Sequence, residues 1–308
     1  MWNGRKSMRN VRSRNSTAGA TALVAEEGDS PDIGFERPPS RLVVTTRKVN
    51  ESRDPALSAF RNWSKIRARL RAAKRWAFFL DFDGTLVNLR RRPGDVRMSR
   101  SAKLVLKRLA GHENTQVVII SGRKRNDVRE LVSLSALQYF GVHGGESKGK
   151  SVTLSAKSRH ALEGAKRVAQ RALKSIPGVW IQDKALSVAI HYRESDRSSA
   201  LLAAEFLAHL LEPWGDALHI LNGSRVWEIL PREIPGKFTA VDEVLGAHRP
   251  DTAVVYIGND GTDEVAFAAL PDDITIRVGR EPQTHARYFV RTPAEVLRLL
   301  ARMEKGLP

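Results

Sequence analysis

Two aspartates stand one residue apart directly after an apolar run, in the stretch FFLDFDGTL from Phe78 to Leu86. Two carboxylates this close repel each other unless a cation lies between them. Oxygen ligands in a chain without cysteine favour Mg²⁺. A cation held by Asp81 would bring a phosphate to that carboxylate, which could attack phosphorus and form an aspartyl-phosphate. Asp83 could then protonate the leaving oxygen and later activate a water. The stretch therefore predicts phosphoryl-transfer chemistry.

Three further segments place polar residues at the ends of predicted strands or at helix starts. Ser121 follows the apolar run QVVII and can hydrogen-bond a phosphoryl oxygen. Lys237 begins a predicted helix and offers a fixed positive charge to the phosphoryl group and the nucleophile. Functional groups gather at the carboxyl ends of the strands in an open parallel sheet, so one shared site is expected. The predicted catalytic residues are Asp81, Asp83, Ser121 and Lys237. The predicted Mg²⁺ ligands are Asp81, Asp83, Asn259 and Asp260.

The rest of the chain predicts the elements that hold these residues. Residues 1–55 mix Ser, Arg, Gly and Pro and are predicted to be a basic, disordered tail. Residues 56–75 carry apolar side chains three or four apart, which predicts an amphipathic helix. Strands and helices alternate over 76–145 and 233–308, as in a parallel α/β core.

The segment between the two halves of the core, residues 146–232, has a different pattern. Two stretches of alternating polar and apolar residues predict β-hairpins, one around Asp183-Lys184 and one turning at Asn222-Gly223. Two predicted helices accompany them. The segment is therefore predicted to be an inserted α+β domain, with a cleft between it and the core.

The order of these motifs resembles the haloacid dehalogenase-like phosphatases. Their signature is DxDxT, a Ser or Thr after a second strand, a Lys, and an acidic cluster, and here DFDGT, SGR, GK and GNDGTDE occur in that order. Within that superfamily, IISGR, YFGVHG, QDKALSVAIHYR and VWEILP are similar to the trehalose-6-phosphate phosphatase family over residues 76–300. The resemblance implies a Rossmann-like, haloacid dehalogenase-type parallel-sheet core with an inserted α+β cap.

The resemblance also implies an activity and a set of substrate contacts. The expected reaction is Mg²⁺-dependent hydrolysis of trehalose 6-phosphate to trehalose and phosphate, with the cap closing over the sugar. The predicted substrate-contacting residues are Thr85, Gly122, Arg123, His143, Lys184, His191, Arg193 and Glu228.

Two positions depart from the family pattern and keep alternatives open. Asn259 stands where the family has an aspartate ligand, so metal binding is expected to be weaker, and a sugar-phosphate sensor with little turnover is an alternative. Gln182 stands where the family often has a glutamate that contacts the sugar. Another sugar phosphate, such as sucrose phosphate or a glycosyl-phosphoglycerate, is therefore an alternative substrate.

Composition sets limits on partners and location. The net charge is +17, and residues 1–76 hold 17 Lys and Arg against 7 Asp and Glu. A nucleic-acid end phosphatase is thus an alternative, but nucleic acid is not the expected partner because the excess charge lies largely outside the predicted catalytic domain. The absence of cysteine, of a long apolar run and of a secretory h-region predicts a cytoplasmic protein without a membrane span. A monomer acting on a small sugar phosphate is expected.

Overall fold

A computed structural model of the chain describes residues 56–307, so the predicted tail over 1–55 lies outside the described residues. The described part contains two β-sheets of more than two strands, each covered by helices. The strands are β1 (Leu57–Ser58), β2 (Arg75–Asp81), β3 (Thr115–Ile120), β4 (Gln138–Phe140), β5 (Glu146–Ser147), β6 (Lys150–Ser151), β7 (Trp180–Asp183), β8 (Val188–His191), β9 (Leu218–Gly223), β10 (Val226–Pro231), β11 (Thr252–Gly258), β12 (Ile274–Val278) and β13 (Tyr288–Val290). The helices are α1 (Trp63–Ala72), α2 (Arg100–Ala110), α3 (Arg125–Val132), α4 (Ala156–Leu173), α5 (Arg197–Leu210), α6 (Thr239–Leu245), α7 (Gly261–Ala269) and α8 (Pro293–Glu304).

The larger sheet, which we call the core sheet, has the strand order β1-β13-β12-β11-β2-β3-β4, and all its neighbours pair in parallel. Its interior strand β2 is buried from Trp76 to Asp81, as expected of a parallel strand covered on both faces. The chain passes from β4 into the smaller sheet and returns to the core sheet at β11. The predicted α/β class, with a parallel-sheet core and an inserted α+β segment, is confirmed.

Helices cover both faces of the core sheet. Side chains of α1, α2, α3 and α8 pack with Phe78 and Leu80 of β2 on one face. Side chains of α6 and α7 pack with Phe79 of β2 and Tyr256 of β11 on the other. Alternate residues of one strand thus face opposite layers, which is the ordinary consequence of the two-residue strand repeat. Across residues 56–307, no helix combines the length and apolar character needed to cross a bilayer.

The first described segment differs from the predicted helix over 56–75. The helix begins at Trp63, and before it Leu57 and Ser58 pair in parallel with β13 at the edge of the core sheet. Ile66 and Leu70 are fully buried, and they are the apolar residues whose spacing predicted the helix. The two residues of β1 are too few to show a strand pattern, so their pairing with a distant strand could not be read locally.

The smaller sheet, which we call the insert sheet, has the antiparallel order β7-β8-β10-β9. Helices α4 and α5 pack on the face that carries Val188, Ile190 and Ile229. The second hairpin does not turn at Asn222-Gly223 as predicted. Gly223 pairs with Val226, so the two turn residues are Ser224 and Arg225, and Arg225 takes the left-handed conformation with φ 58°.

Candidate active site

Four neighbouring strands of the core sheet end at one edge and deliver a polar side chain each. Asp81 ends β2, Ser121 follows β3, and Asn259 follows β11. His143 lies three residues beyond β4. Since β11, β2, β3 and β4 are adjacent and parallel, their carboxyl ends meet, as the sequence predicted for such a sheet. The four side chains line one cleft that is closed on its other side by the insert sheet.

Lys237 joins two of the core carboxylates at the floor of this cleft. Its ammonium donates to Asp81 Oδ1 at 2.9 Å and to Asp263 Oδ1 at 2.8 Å. Asp263 also accepts from the Tyr256 hydroxyl at 3.1 Å and from the backbone N–H groups of Asn259 and Asp260. Asp81, Lys237 and Asp263 are all buried, so this is an ionic network almost removed from water.

The charges of this core network do not balance. Three carboxylates, those of Asp81, Asp260 and Asp263, lie within 4 Å of the single ammonium of Lys237. Burial raises the pKa of Asp81 well above its usual range, and Lys237 offsets only part of the rise. Burial likewise raises the pKa of Asp263. Burial alone would lower the pKa of Lys237, but Asp263 and Asp81 raise it well above its usual range. An additional positive charge here would stabilise the ionised form of Asp81.

Three oxygen positions converge beside Asp81. The amide end of Asn259 lies 2.9 Å from Asp81 Oδ2 and 2.9 Å from the main-chain carbonyl oxygen of Asp83. If the Asn259 amide nitrogen faces Asp81 and the Asp83 carbonyl, it donates a hydrogen bond to each of these two oxygens. If the amide oxygen faces them instead, it is a third oxygen at the same place. The approach depends on Gly84, whose φ is 87°, because a Cβ at that position would lie 2.4 Å from the Asn259 amide nitrogen.

Thr85 supports this arrangement from behind. It is fully buried, its hydroxyl lies 3.2 Å from the same Asn259 amide, and it does not line the cleft. The substrate contact of Thr85 therefore stays a prediction, and in this structure its side chain lies behind Asn259 and outside the cleft. The residue directly follows the turn at Gly84, and the chain has already left the cleft at that point.

Asp83 is engaged by Arg123 rather than left free in the cleft. The guanidinium binds the carboxylate through two hydrogen bonds, from Nε at 2.6 Å and from Nη2 at 2.8 Å. The remaining Nη1 donates to the Pro93 carbonyl at 3.0 Å. Such a bidentate pair fixes the orientation of both side chains. Arg123 itself is positioned by the turn after β3, where its backbone N–H donates to Ser121 Oγ at 3.1 Å.

The insert sheet supplies a second buried network on the opposite wall. Glu228 of β10 accepts from Lys184 at 2.9 Å and from Ser187 at 2.6 Å, and it bonds His143 Nε2 at 2.9 Å. Lys184 also donates to the Gly122 carbonyl at 2.8 Å, so the network connects insert and core. Burial opposes the ionised form of Glu228, but Lys184 and His143 hold its pKa well below the usual range.

The two residues on the core side of this network, His143 and Gly122, have a constrained backbone. His143 takes the left-handed conformation, with φ 54° and ψ 33°, which is uncommon outside glycine. Gly122 is needed because a Cβ there would lie 2.8 Å from His143 Nε2. Strained backbone of this kind concentrates at functional sites.

The remaining predicted contacts line the cleft further out. His191 stacks on Trp180 with ring centroids 3.8 Å apart, and its Nε2 lies 3.0 Å from Gln182 Oε1. Burial lowers the pKa of His191 to about 4, so the ring is neutral at pH 7. Arg193 donates to the carbonyl of Arg90 in the core and to that of Ser224 in the insert.

The cleft brings together every predicted site residue except Thr85. Asp263 belongs to the core network but is absent from the predicted set. A local signal for it existed, since Asp260 and Asp263 form the capping box that starts α7. The bidentate pair between Asp83 and Arg123 carried no sequence signal, because 40 residues separate the partners.

Comparison with known proteins decides the family. The family model described as trehalose-phosphatase matches residues 79–293, which is more than half of the chain. The chain belongs to the trehalose-phosphatase family. It is accordingly a phosphoric monoester hydrolase. A probable trehalose-phosphate phosphatase D from Arabidopsis thaliana is 31% identical over 251 residues, covering 75% of this chain and 67% of the relative. A probable trehalose-phosphate phosphatase 4 from Oryza sativa subsp. japonica is 31% identical over 261 residues, covering 80% and 70%.

Solved structures share the fold of this trehalose-phosphatase family member. The C-terminal domain of C. albicans trehalose-6-phosphate phosphatase superposes with a TM-score of 0.71 at 19% identity, covering 82% of this chain and 99% of that one. A trehalose-6-phosphate phosphatase related protein superposes with a TM-score of 0.61 at 25% identity, covering 74% and 97%. The match to the C. albicans domain covers 82% of this chain, which is more than the residues outside 146–232 make up, so it extends into the insert.

Proposed function

We propose that this protein hydrolyses trehalose 6-phosphate to trehalose and phosphate through an aspartyl-phosphate on Asp81, with Mg²⁺ as cofactor. The observation that carries the proposal is the core network, in which a buried carboxylate, a buried ammonium and an excess of negative charge meet at one end of a cleft. The names of the curated relatives supply the substrate.

The residues at the end of the cleft fit a magnesium ion. Among residues 56–307, no three carboxylate or imidazole side chains form a metal cluster, so a cation here would also use amide and backbone oxygens. Adjacent ligands of an octahedral Mg²⁺ at about 2.0–2.1 Å are roughly 2.9 Å apart. The Asn259 amide lies at that distance from Asp81 Oδ2 and from the Asp83 carbonyl oxygen. These groups, with Asp260, would hold Mg²⁺, which when bound supplies positive charge to neutralise the phosphoryl oxygens.

The first step transfers the phosphoryl group to Asp81. A carboxylate oxygen of Asp81 attacks phosphorus, the bond between phosphorus and the sugar oxygen breaks, and that oxygen takes a proton from Asp83. Lys237 orients Asp81 through its 2.9 Å hydrogen bond and offers charge to the transferring group. Ser121 donates its hydroxyl to a phosphoryl oxygen. Trehalose leaves with the proton, and Asp83 is left ionised.

The second step releases phosphate. A water gives a proton to Asp83 and attacks phosphorus, the bond between phosphorus and the Asp81 oxygen breaks, and the carboxylate is restored. Asp83 is again protonated and ready for the next cycle.

Arg123 constrains when Asp83 can act. A carboxylate engaged by two N–H groups of a guanidinium accepts hydrogen bonds and donates none. Asp83 must therefore leave this pair and take up a proton from solvent before it can protonate the sugar oxygen. We infer that an incoming phosphate, which Arg123 can bind in the same bidentate manner, exchanges with Asp83.

The insert acts as the sugar-binding cap in this proposal. Gln182, His191 and Arg193 line the outer part of the cleft with neutral and cationic hydrogen-bonding groups that suit sugar hydroxyls. Lys184 and Glu228 hold the cap against the core through Gly122 and His143. Their hydroxyl-binding capacity becomes available to the sugar when the cap moves.

The test is a substrate panel. Phosphate release is measured with Mg²⁺ from trehalose 6-phosphate, sucrose 6-phosphate, a glucosyl-phosphoglycerate and glucose 6-phosphate, and again after chelation. We expect kcat/KM to be highest for trehalose 6-phosphate by about tenfold or more, and turnover to be lost on chelation. Asp81→Asn is the matched inactive control. A higher kcat/KM for another sugar phosphate would contradict trehalose 6-phosphate as the substrate, and only sugar-phosphate hydrolysis as the reaction class would stand. Gln182→Glu would then test whether this residue sets the substrate preference.

A second candidate, a sensor that binds sugar phosphate with little turnover, is favoured by one observation. In its nitrogen-first orientation, Asn259 already bridges Asp81 and the Asp83 carbonyl without a cation. Calorimetric titration of Mg²⁺ into wild type and Asn259→Asp decides between the two. If the protein turns over trehalose 6-phosphate efficiently, wild type binds Mg²⁺ and the added carboxylate tightens binding about tenfold. The sensor would be supported if wild type binds sugar phosphate tightly but shows no measurable Mg²⁺ binding and no turnover. In that case Asn259→Asp should restore both Mg²⁺ binding and turnover.

A further inference from the structure

Three consecutive arginines, Arg90, Arg91 and Arg92, lie in the segment between β2 and α2. Arg90 and Arg91 line the catalytic cleft, and Arg92 does not. The side chain of Arg92 instead approaches Glu194 of the insert, with 3.9 Å between its Nε and the carboxylate. All three arginines are exposed, whereas the core network in the same cleft is buried. Arg90 and Arg91 therefore lie at the solvent end of the cleft, which we call the cleft mouth.

The cleft mouth has an excess of positive charge. Arg193 joins it, because its guanidinium donates to the carbonyl of Arg90 and, at 2.7 Å, to that of Ser224. Within residues 56–307, none of these three arginines forms an ion pair, although their neighbour Arg92 does. One exposed carboxylate, that of Asp127, also lines the cleft. Three guanidiniums thus stand against one carboxylate.

The other end of the cleft has the opposite sign. There the carboxylates of Asp81, Asp260 and Asp263 surround the single ammonium of Lys237. A phosphate monoester carries about 1.5 to 2 negative charges at pH 7, so surplus carboxylates repel it while the cationic mouth attracts it. An incoming phosphate therefore meets its first favourable potential at the mouth.

Arg90 and Arg91 are suited to hold that phosphate for a time. A guanidinium binds phosphate oxygens through paired N–H donors. Arg193 is held by two carbonyl groups, whereas the side chains of Arg90 and Arg91 donate no hydrogen bond to any residue within 56–307. Their N–H groups face the cleft without a competing protein acceptor in that range.

We propose that Arg90 and Arg91 form an anion subsite at the cleft mouth, which binds the phosphate of the incoming ester before it reaches Asp81. They act on substrate capture, and so on KM and the rate of association. Neither residue takes part in the two proposed chemical steps, so this role adds to the proposed phosphatase function and rests on it.

The first test is the salt dependence of kcat/KM for trehalose 6-phosphate with Mg²⁺. Wild-type kcat/KM should fall steeply with added NaCl, because salt screens the mouth. At low salt, Arg90→Gln/Arg91→Gln should lower kcat/KM about tenfold, mostly through KM, and its salt dependence should be flatter. Arg90→Gln and Arg91→Gln alone should each lower it about threefold. Arg92→Gln is the matched control, since it removes a neighbouring charge outside the cleft, and it should keep the wild-type values.

The second test is calorimetric titration of inorganic phosphate into the same variants with Mg²⁺ present. The dissociation constant should rise about tenfold in Arg90→Gln/Arg91→Gln and stay unchanged in Arg92→Gln. This measurement needs no turnover, so failure of the subsite and failure of trehalose 6-phosphate as the substrate are distinguishable.

Three results would overturn the anion subsite. The first is a wild-type chain that binds no phosphate. The second is an Arg90→Gln/Arg91→Gln variant with the wild-type dissociation constant for phosphate. The third is an equal loss of phosphate affinity in Arg92→Gln and in either single variant, because net charge alone would then explain the effect.

Discussion

The two buried ionic networks of the cleft differ in their balance of charge. In the core network, three carboxylates surround the ammonium of Lys237, and the pKa values of Asp81 and Asp263 are raised. In the insert network, the single carboxylate of Glu228 lies between Lys184 and His143, and its pKa is lowered. Both networks are buried, so burial does not cause the difference. The number of partners of each sign causes it.

This difference separates two tasks. A network with surplus negative charge is stabilised by a further cation, which is what a phosphatase with a bound metal would use. A network whose carboxylate is fully partnered holds two parts of the chain together instead, and Lys184 and His143 do so by joining β10 to the loops after β3 and β4. We infer that the core network is built for chemistry and the insert network for cap closure.

The largest expected effect comes from removing the only cation of the core network. Lys237→Met leaves the buried carboxylates without compensation, so the free energy of unfolding at pH 7 should fall by about 3–5 kcal/mol, and turnover should be lost. Denaturant titration at pH 7 and pH 5 measures the first effect. The loss should be smaller at pH 5, because protonation of the carboxyls removes the repulsion.

Asp263→Asn is the control that sharpens this result. It removes one surplus negative charge and keeps a hydrogen-bonding side chain beside Lys237, so it should destabilise the protein much less than Lys237→Met. If Asp263→Asn lowers the free energy of unfolding as much as Lys237→Met does, the core network is not short of positive charge.

A smaller effect is expected from the insert network. Glu228→Gln keeps the hydrogen bonds to Ser187 and His143 but leaves Lys184 without a carboxylate, at a cost of about 2–3 kcal/mol of unfolding free energy. The folded-state pKa of Glu228 is lowered, so its stabilisation is present above the unfolded pKa and is lost as pH falls below it. The deficit of Glu228→Gln relative to wild type should therefore shrink below about pH 4.5.

Kinetics distinguish the role of Glu228 from that of Lys237. Since Glu228 is assigned to closure and sugar binding, Glu228→Gln should raise KM more than it lowers kcat. Ser187→Ala, which removes one 2.6 Å hydrogen bond to Glu228, is the matched control and should cost about 1 kcal/mol. A kcat loss as large as that of Lys237→Met would remove the distinction between the two networks.

The smallest effect concerns His191 on the outer wall. Its folded-state pKa is about 4, below that of the unfolded chain, because burial and the nearby Lys184 disfavour the charged ring. As the pH falls, the imidazole therefore takes up its proton in the unfolded chain before it does so in the folded protein. The free energy of unfolding should fall between about pH 6.5 and pH 4. The expected fall is on the order of 1 kcal/mol, because His191 is partly exposed. His191→Gln should flatten this slope in thermal melts, and His160→Gln, at an exposed position, should not. An unchanged slope in His191→Gln would show that another group titrates there.

The sequence predicts those parts of the site that depend on patterns of neighbouring residues. Asp81, Ser121 and Asn259 directly follow apolar strands, and parallel strands bring their carboxyl ends together whatever the loops do. Their convergence was therefore predictable. Glu228 was also predictable as functional, since a carboxylate in an apolar strand needs a partner.

The rest depends on contacts between distant segments. The pairing of Asp83 with Arg123 requires the turn after β3 to point at the loop after β2, which no local pattern encodes. The burial of Thr85 depends on the path of the chain after Gly84, and the hairpin turn at Ser224-Arg225 depends on the register of β9 with β10. The Asn-Gly pair at 222–223 is typical of a turn, but six residue pairs between β9 and β10 fix the register of the hairpin. In that register both residues lie in β9, and the turn comes after them.

The most direct test of the proposed chemistry is detection of phosphate on Asp81. Trehalose 6-phosphate and Mg²⁺ are mixed with the wild-type chain, the reaction is quenched in acid within a single turnover, and the peptides are analysed by mass spectrometry. We expect a phosphate adduct on the peptide that contains Asp81, and no adduct on the same peptide of Asp81→Asn, because the acyl phosphate forms before water hydrolyses it. We also expect Asp81→Asn to lose turnover by on the order of 10⁴-fold or more. An adduct on another residue, or Asp81→Asn turning over at the wild-type rate, would contradict the assignment of Asp81 as the nucleophile.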